Sequence, residues 1–270
     1  MKKATVGMVI TAWASIMMAE DIVRFIGSDG SGENGAVTLA ENWEGGTIPS
    51  GAQTGLITAP VKKVWVGGPL TAFSMRQTGG CIKAPTGMEL RGGPAGSGVG
   101  TVYIIDDPDT NYTSYVNLET AKDKAIVFWS MSGEKCELSL LSGHIEAGML
   151  KLNASDKGII NVRNGIFHVG KMAEGKGTIN MLAAGTGAVT VDVLGCTLGQ
   201  LKLNFETGNK GSFTISQKEG GASADGIWQQ LIGNRQLSID GKVVKDPRMF
   251  EITTYGTSAT IKLATTVILG

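Results

Sequence analysis

From Leu150 onward the chain runs through short stretches in which apolar and polar residues alternate, and glycine-rich breaks separate the stretches. Leu150 and Leu152 bracket Lys151, Ile160 and Val162 bracket Asn161, and Phe167 and Val169 bracket His168. The pattern continues through Ile179 and Met181, Val189 to Val193, Leu201 to Phe205, and Phe213 and Ile215. Successive side chains of a strand point to opposite sides, so a period of two marks a strand with one buried face. The breaks at 155–158, 164–165, 174–177, 185–187 and 207–209 carry the Gly, Asn, Asp and Ser residues that turns require. Glycine supplies 40 of the 270 residues, roughly twice its usual share. With only 7 prolines and no Gly-X-Y period, collagen is excluded. So many glycines between apolar runs predict many tight turns, hence many short strands.

The runs recur about every 10–12 residues, a spacing that serves a sandwich, a meander or a solenoid. Repetition without long crossovers, with apolar residues of similar size at equivalent places, favours an all-β solenoid. Each coil of a solenoid buries its inner face only against its neighbours. An antiparallel β-sandwich is the alternative. The expected organisation is a leader over 1–19, an irregular N-terminal β region or cap over 20–131, regular coils over 132–222 and a closing section over 223–270. In the closing section a short helix is expected over Ile227–Leu231, with Asp225 as its N-cap and Gly233 as its stop.

Met1–Ala19 has the layout of a secretory signal peptide: Lys2 and Lys3, an uncharged apolar stretch from Ala4 to Met18, then small residues. Cleavage is expected after Ala19, with Ala14 as the alternative. A stretch of about 15 apolar residues is shorter than the roughly 20 that cross a bilayer as a helix. The expected product is exported, extracellular or on the cell surface, with the periplasm as the other compartment. Basic and acidic residues balance at 24 each. Without a basic patch, nucleic acid is excluded as a partner, and no membrane span is expected after leader removal. Cys81, Cys136 and Cys196 form no Cys-x-x-Cys pair. They read as buried small hydrophobes, with one disulfide among them as the alternative.

Three stretches carry a family resemblance. Asn42-Trp-Glu-Gly-Gly-Thr-Ile-Pro49 is similar to an Asn-Trp-x-x-Gly-x-x-Pro opening element, and 158–170 is a glycine-bounded strand array. The ending runs from Leu237–Gly241 into 250–253 and 259–263. Together they resemble exported bacterial β-solenoid proteins with autotransporter-passenger-like repeats. The resemblance implies a right-handed parallel β-helix displayed outside the cell, and it brings no catalytic residues. The chain departs from autotransporters in lacking a translocating barrel.

Chemistry is sparse. With two histidines, a multi-histidine metal site is not expected, and no cofactor is expected. Asp106, Asp107 and Asp109, with Asn111, supply oxygen ligands of the kind Ca²⁺ takes, but lack the EF-hand glycine and distal glutamate. An acidic turn is the ordinary reading. His144 and Glu146 share a strand face at a spacing open to acid–base work, against the plainer reading of two solvent-facing polar residues. His168 is expected to point outward between Phe167 and Val169. Lys151, Arg163, Asp192 and Lys202 are outward residues of successive strands and the candidate contacts for a glycan. Trp65, Trp129, Tyr103 and Tyr115 read as core aromatics, with sugar stacking as the alternative. No Gly-x-Ser-x-Gly nucleophile motif occurs.

The expected function is that of an exported structural or surface-interaction protein, adhesin-like or matrix-like, without evident catalysis. The alternative is a carbohydrate-active β-helix (a polysaccharide lyase or glycoside hydrolase) or a non-catalytic glycan-binding relative. Expected partners are cell-surface or matrix components, polysaccharide, and further copies of the chain meeting at the solenoid ends.

Overall fold

A computed structural model describes residues 21–28, 34–50, 53–58, 63–65, 70–71, 73–79, 81–83, 88–92, 100–106, 115–117, 125–129, 135–152, 158–173, 176–194, 201–218 and 224–265. The leader, Cys196, Asp107, Asp109 and Asn111 lie outside them. The described chain is all-β, with a single α-helix, Ala224–Gly233, among the described residues.

Strands fall into two sheets, and most pairs are parallel. The first sheet runs from Asp21–Arg24 through Gln53–Ile57, Ser74–Gln77, Thr101–Asp106, Cys136–Ser142, Gly158–Val162, Gly177–Met181 and Leu201–Phe205 to Leu237–Ile239. The second runs from Asn34–Ala36 through Lys63–Trp65, Cys81–Lys83, Tyr115–Asn117, His144–Leu152, Ile166–Ala173 and Ala188–Leu194 to Ser212–Lys218. From Cys136 to Lys218, consecutive strands belong to different sheets, and each strand pairs in parallel with the next but one. The 10–12-residue spacing in the sequence is therefore half of a repeat. Cys136 lies opposite Gly158, 22 positions on, and Gly177 opposite Leu201, 24 positions on. The antiparallel sandwich is corrected by this register. Among the described residues, strands pair antiparallel only at the C-terminal end, through Lys242–Val243, Phe250–Tyr255 and Ser258–Leu263, apart from isolated antiparallel bridges of Phe25 with Trp43 and Ser50 with Phe73. The irregular N-terminal strands join the same two sheets. A branch of Leu70–Thr71, Met88–Arg91 and Ala125–Trp129 pairs with the later half of His144–Leu152.

The alternation places the side chains as the sequence predicts. Inward positions stack into apolar columns, for example Met75, Tyr103, Leu138, Ile160, Ile179, Leu203 and Leu237. Ile145, Phe167, Val189, Phe213 and Ile261 form the matching column of the second sheet. All are essentially inaccessible to solvent, and each contributes about 1.5–3 kcal/mol by burial. One polar pair enters this core: the Tyr103 hydroxyl donates to the Gln77 side-chain carbonyl, with both residues buried. Tyr103 is thus a core aromatic.

The corner between the sheets explains part of the glycine content. Gly143, Gly165, Gly187 and Gly211 each precede a strand of the second sheet. The carbonyls of the first three accept from the next strand of that sheet: Ile166 N–H to Gly143 at 3.0 Å, Ala188 N–H to Gly165 at 2.9 Å, and Ser212 N–H to Gly187 at 3.0 Å. At Gly165 φ is +90°, and a Cβ there would lie 2.1 Å from the Gly143 carbonyl oxygen. Neither fault can be relieved by moving a side chain.

Each end carries a tryptophan plug. At the N-terminal end the Trp43 indole N–H donates to the Val37 carbonyl at 2.8 Å, and the neighbouring Asn42 amide donates to that of Ala36, also at 2.8 Å. Phe25 and Phe73 pack edge-on against Trp43 at 5.1 and 5.9 Å. The Asn-Trp-x-x-Gly element is thus a packing device that closes this end of the core. At the other end Trp228 of the helix stands edge-on to Phe213 at 5.7 Å, and its N–H donates to the Ala259 carbonyl at 3.1 Å. The helix is longer than the sequence predicts, because Asp225 lies inside it rather than capping it. Gly233 ends it as expected.

Cys136 is buried and carries no disulfide. Burial pushes its thiol up to about 11, partly offset by a backbone hydrogen bond from Gly92. In the native state Cys136 should resist alkylation at pH 8 and react only on unfolding, as mass spectrometry of the labelled peptide would record. Gly165→Ala should cost roughly 3 kcal/mol or more, because strain and clash add. Gly208→Ala, also at positive φ but with open space around it, should cost about 1–2 kcal/mol. Urea midpoints at constant m-value would report both.

Candidate functional site

Parallel register stacks the outward side chains of the two sheets as it stacks the core. On the first sheet Ser139, Asn161, Asn180, Asn204 and Ser238 form one column. The Asn180 amide donates to the Asn161 side-chain carbonyl at 2.8 Å, and the Asn161 amide donates to Glu137 at 2.6 Å and Ser139 at 3.0 Å. Further along, the Ser238 hydroxyl donates to the Asn204 carbonyl at 2.9 Å. On the second sheet the corresponding column is Glu146, His168, Thr190, Thr214 and Thr260. The Thr214 and Thr260 hydroxyls are 2.8 Å apart.

Titratable side chains gather around His168 in that second column. Glu146 faces His168 across the sheet, with a carboxylate oxygen 3.5 Å from Nδ1. Asp192, one coil further, lies 3.0 Å from Nε2. His144 approaches the other Glu146 oxygen at 3.9 Å. The imidazole thus lies between two carboxylates, with a hydrogen bond on one side and an ion-pair contact on the other. Taken alone, the sequence offers His144 and Glu146 no third group; the 22-residue register supplies His168. The arrangement orients an imidazole. It sits on a half-buried sheet face, with the Thr190 hydroxyl next along the column.

The four candidate glycan contacts are dispersed. Lys151 is exposed late in its strand of the second sheet, Arg163 is exposed in the bend beside Gly165, and Lys202 is exposed on the first sheet. Asp192 is engaged by His168. Of the candidate Ca²⁺ ligands, Asp106 pairs with Arg76 and accepts from the Ser142 hydroxyl at 3.4 Å. Its other two partners lie outside the described residues. Among the described residues no group of three or more His, Cys, Asp or Glu is placed to hold a metal ion. No helix among them is long and apolar enough to cross a membrane.

A cleft of about 860 Å³ opens at the C-terminal end. Ile239, Val244, Met249 and Leu263 line it, and Lys210, Lys242 and Lys262 stand around it. Its two carboxylates are held by the chain itself. Asp240 accepts the Thr207 N–H and hydroxyl at 2.9 and 2.6 Å, and Glu251 accepts the Thr265 hydroxyl at 2.8 Å. These hydrogen bonds draw both carboxyls below their usual range. The sequence gives no warning of the cleft, because it forms where separate hairpins meet.

No protein-family model, curated protein or solved structure matches the chain.

If the outer columns are scaffolding, their centre is Asn161, which makes three of these bonds. Asn161→Ala should lower stability by about 1–2 kcal/mol. His168→Ala, at a half-exposed ion pair, should cost less than about 1 kcal/mol. Paired denaturation curves would establish the order.

Proposed function

We propose that the chain is a right-handed parallel β-helix that works outside the cell as a structural or surface-interaction rod, and that its outward polar columns are its working surface. The observation that carries this reading is the in-register ladder of Ser139, Asn161 and Asn180, continued by Asn204 and Ser238 and matched by Thr190, Thr214 and Thr260 on the other sheet. Small amide and hydroxyl groups at strand spacing give a regular array of donors and acceptors, suited to an extended polymer or a matrix component. The alternation of strands between two mainly parallel sheets supports the β-helix. The basic and apolar leader supports export.

A glycan-active enzyme would gather carboxylates in a groove, with the two groups about 5–9.5 Å apart across a substrate. Between Glu146 and Asp192 the His168 imidazole fills the space that a substrate would take.

Fractionation of cells expressing the full chain, with N-terminal sequencing of the recovered protein, tests the placement. The mature chain is expected outside the cytoplasmic membrane, beginning at Glu20. Recovery in the cytoplasm with Met1 intact would overturn it. Incubation with a polysaccharide panel should release neither reducing ends nor unsaturated products, and release of either would overturn the non-catalytic reading.

A further inference from the structure

Four of the five large hydrophobic residues that stand exposed in the described structure lie at its two ends. Ile22 and Leu39 are 46% and 45% exposed at the N-terminal end, and Val243 and Tyr255 are 52% and 88% exposed at the C-terminal end. Ile166 alone lies in between. The sheet edges are at the same two places. The first sheet begins at Asp21–Arg24 and ends at Lys242–Val243, and the second begins at Asn34–Ala36 and ends at Phe250–Tyr255. An edge strand presents a row of backbone donors and acceptors with no partner strand. Phe250–Tyr255 is the longer of the two terminal edges at its end, and its sequence, Phe-Glu-Ile-Thr-Thr-Tyr, is rich in residues that favour strands.

The ends also differ in charge. Between residues 21 and 50 the described charged residues are Asp21, Glu41 and Glu44 against Arg24 alone. Between 235 and 265 there are five basic residues against three acidic ones. The acidic three are all engaged within the chain: Asp240 by Thr207, Asp246 by Arg248 and Glu251 by Thr265. Five basic against three acidic residues leave this end with a net positive charge, and one basic against three acidic leave the N-terminal end net negative.

We propose that the C-terminal end of one molecule docks on the N-terminal end of a second copy, apolar residue against apolar residue and basic face against acidic face. This proposal rests on the stacked-coil reading given above. The contact joins two different surfaces, so it does not close on itself as a twofold dimer does. Repeated, it generates an open linear assembly. Such an assembly would continue the outer polar columns from one molecule to the next. Opposite charge at the two ends also selects against head-to-head and tail-to-tail pairs.

The test is sedimentation velocity on the purified full chain over the whole accessible concentration range, with two double variants at exposed positions. One variant carries Ile22→Gln and Leu39→Gln; the other carries Val243→Gln and Tyr255→Gln. The unmodified chain should grow in mass with concentration without a plateau at dimer, and added salt should weaken the growth. Each variant alone should associate about tenfold more weakly or less. An equimolar mixture of the two should recover a species of two chains and no larger, because each retains one intact end. Far-UV circular dichroism and thermal midpoints check that both variants fold. A monomer at every concentration, a wild-type plateau at dimer, or variants that associate like the parent would each overturn the proposal. A monomeric protein found outside the cell would leave the surface reading standing. A cytoplasmic protein that still forms linear assemblies would sink that reading alone.

Discussion

The glycine corner between the two sheets sets the register on which the rest depends. At Gly143, Gly165 and Gly187 the chain turns, and each carbonyl receives an N–H from the coil that follows. Those bonds leave no room for a Cβ, since the Gly165 position is 2.1 Å from the Gly143 oxygen and the Gly211 position 2.4 Å from that of Gly187. The corner therefore fixes how each strand of the second sheet lies against the next. A slip of one residue would send a whole inward column to the solvent side. Core columns and outer columns are two results of the same constraint.

Conserved register also explains why polar residues gather into ladders. Asn161 and Asn180 meet because Ile160 and Ile179 meet beneath them. The same logic brings Glu146 to His168 beside the stacked pair Ile145 and Phe167. The cluster that looks most like chemistry is thus produced by the same stacking as the inert amides of the first sheet.

Much of this was legible in the residues themselves. The alternation around Lys151, Asn161 and His168 located strands and gave each its inward and outward faces, because period-two patterning is a local property. The pairing of those strands was not local. Spacing of about 10–12 residues does not say whether a strand joins its neighbour or the next but one. The 22-position step from Gly143 to Gly165 carried that information, as did the identical step from Glu146 to His168. Asp225 was misread as a cap because the extra helical turn depends on Trp228 docking against Phe213, a contact far away in sequence. The C-terminal cleft arises where separate segments meet, and no single stretch announces it.

The most direct test of the stacked register is a distance between two outward positions of one column. Ser74, Val102, Glu137, Ile159, Thr178 and Lys202 follow one another across the first sheet. Five strand spacings separate the first from the last, or about 24 Å. Spin labels at Ser74 and Lys202, read by pulsed dipolar spectroscopy, should give a single narrow distribution near that value. If consecutive strands paired instead, twelve spacings would intervene and the distribution would centre near 57 Å, contradicting the account.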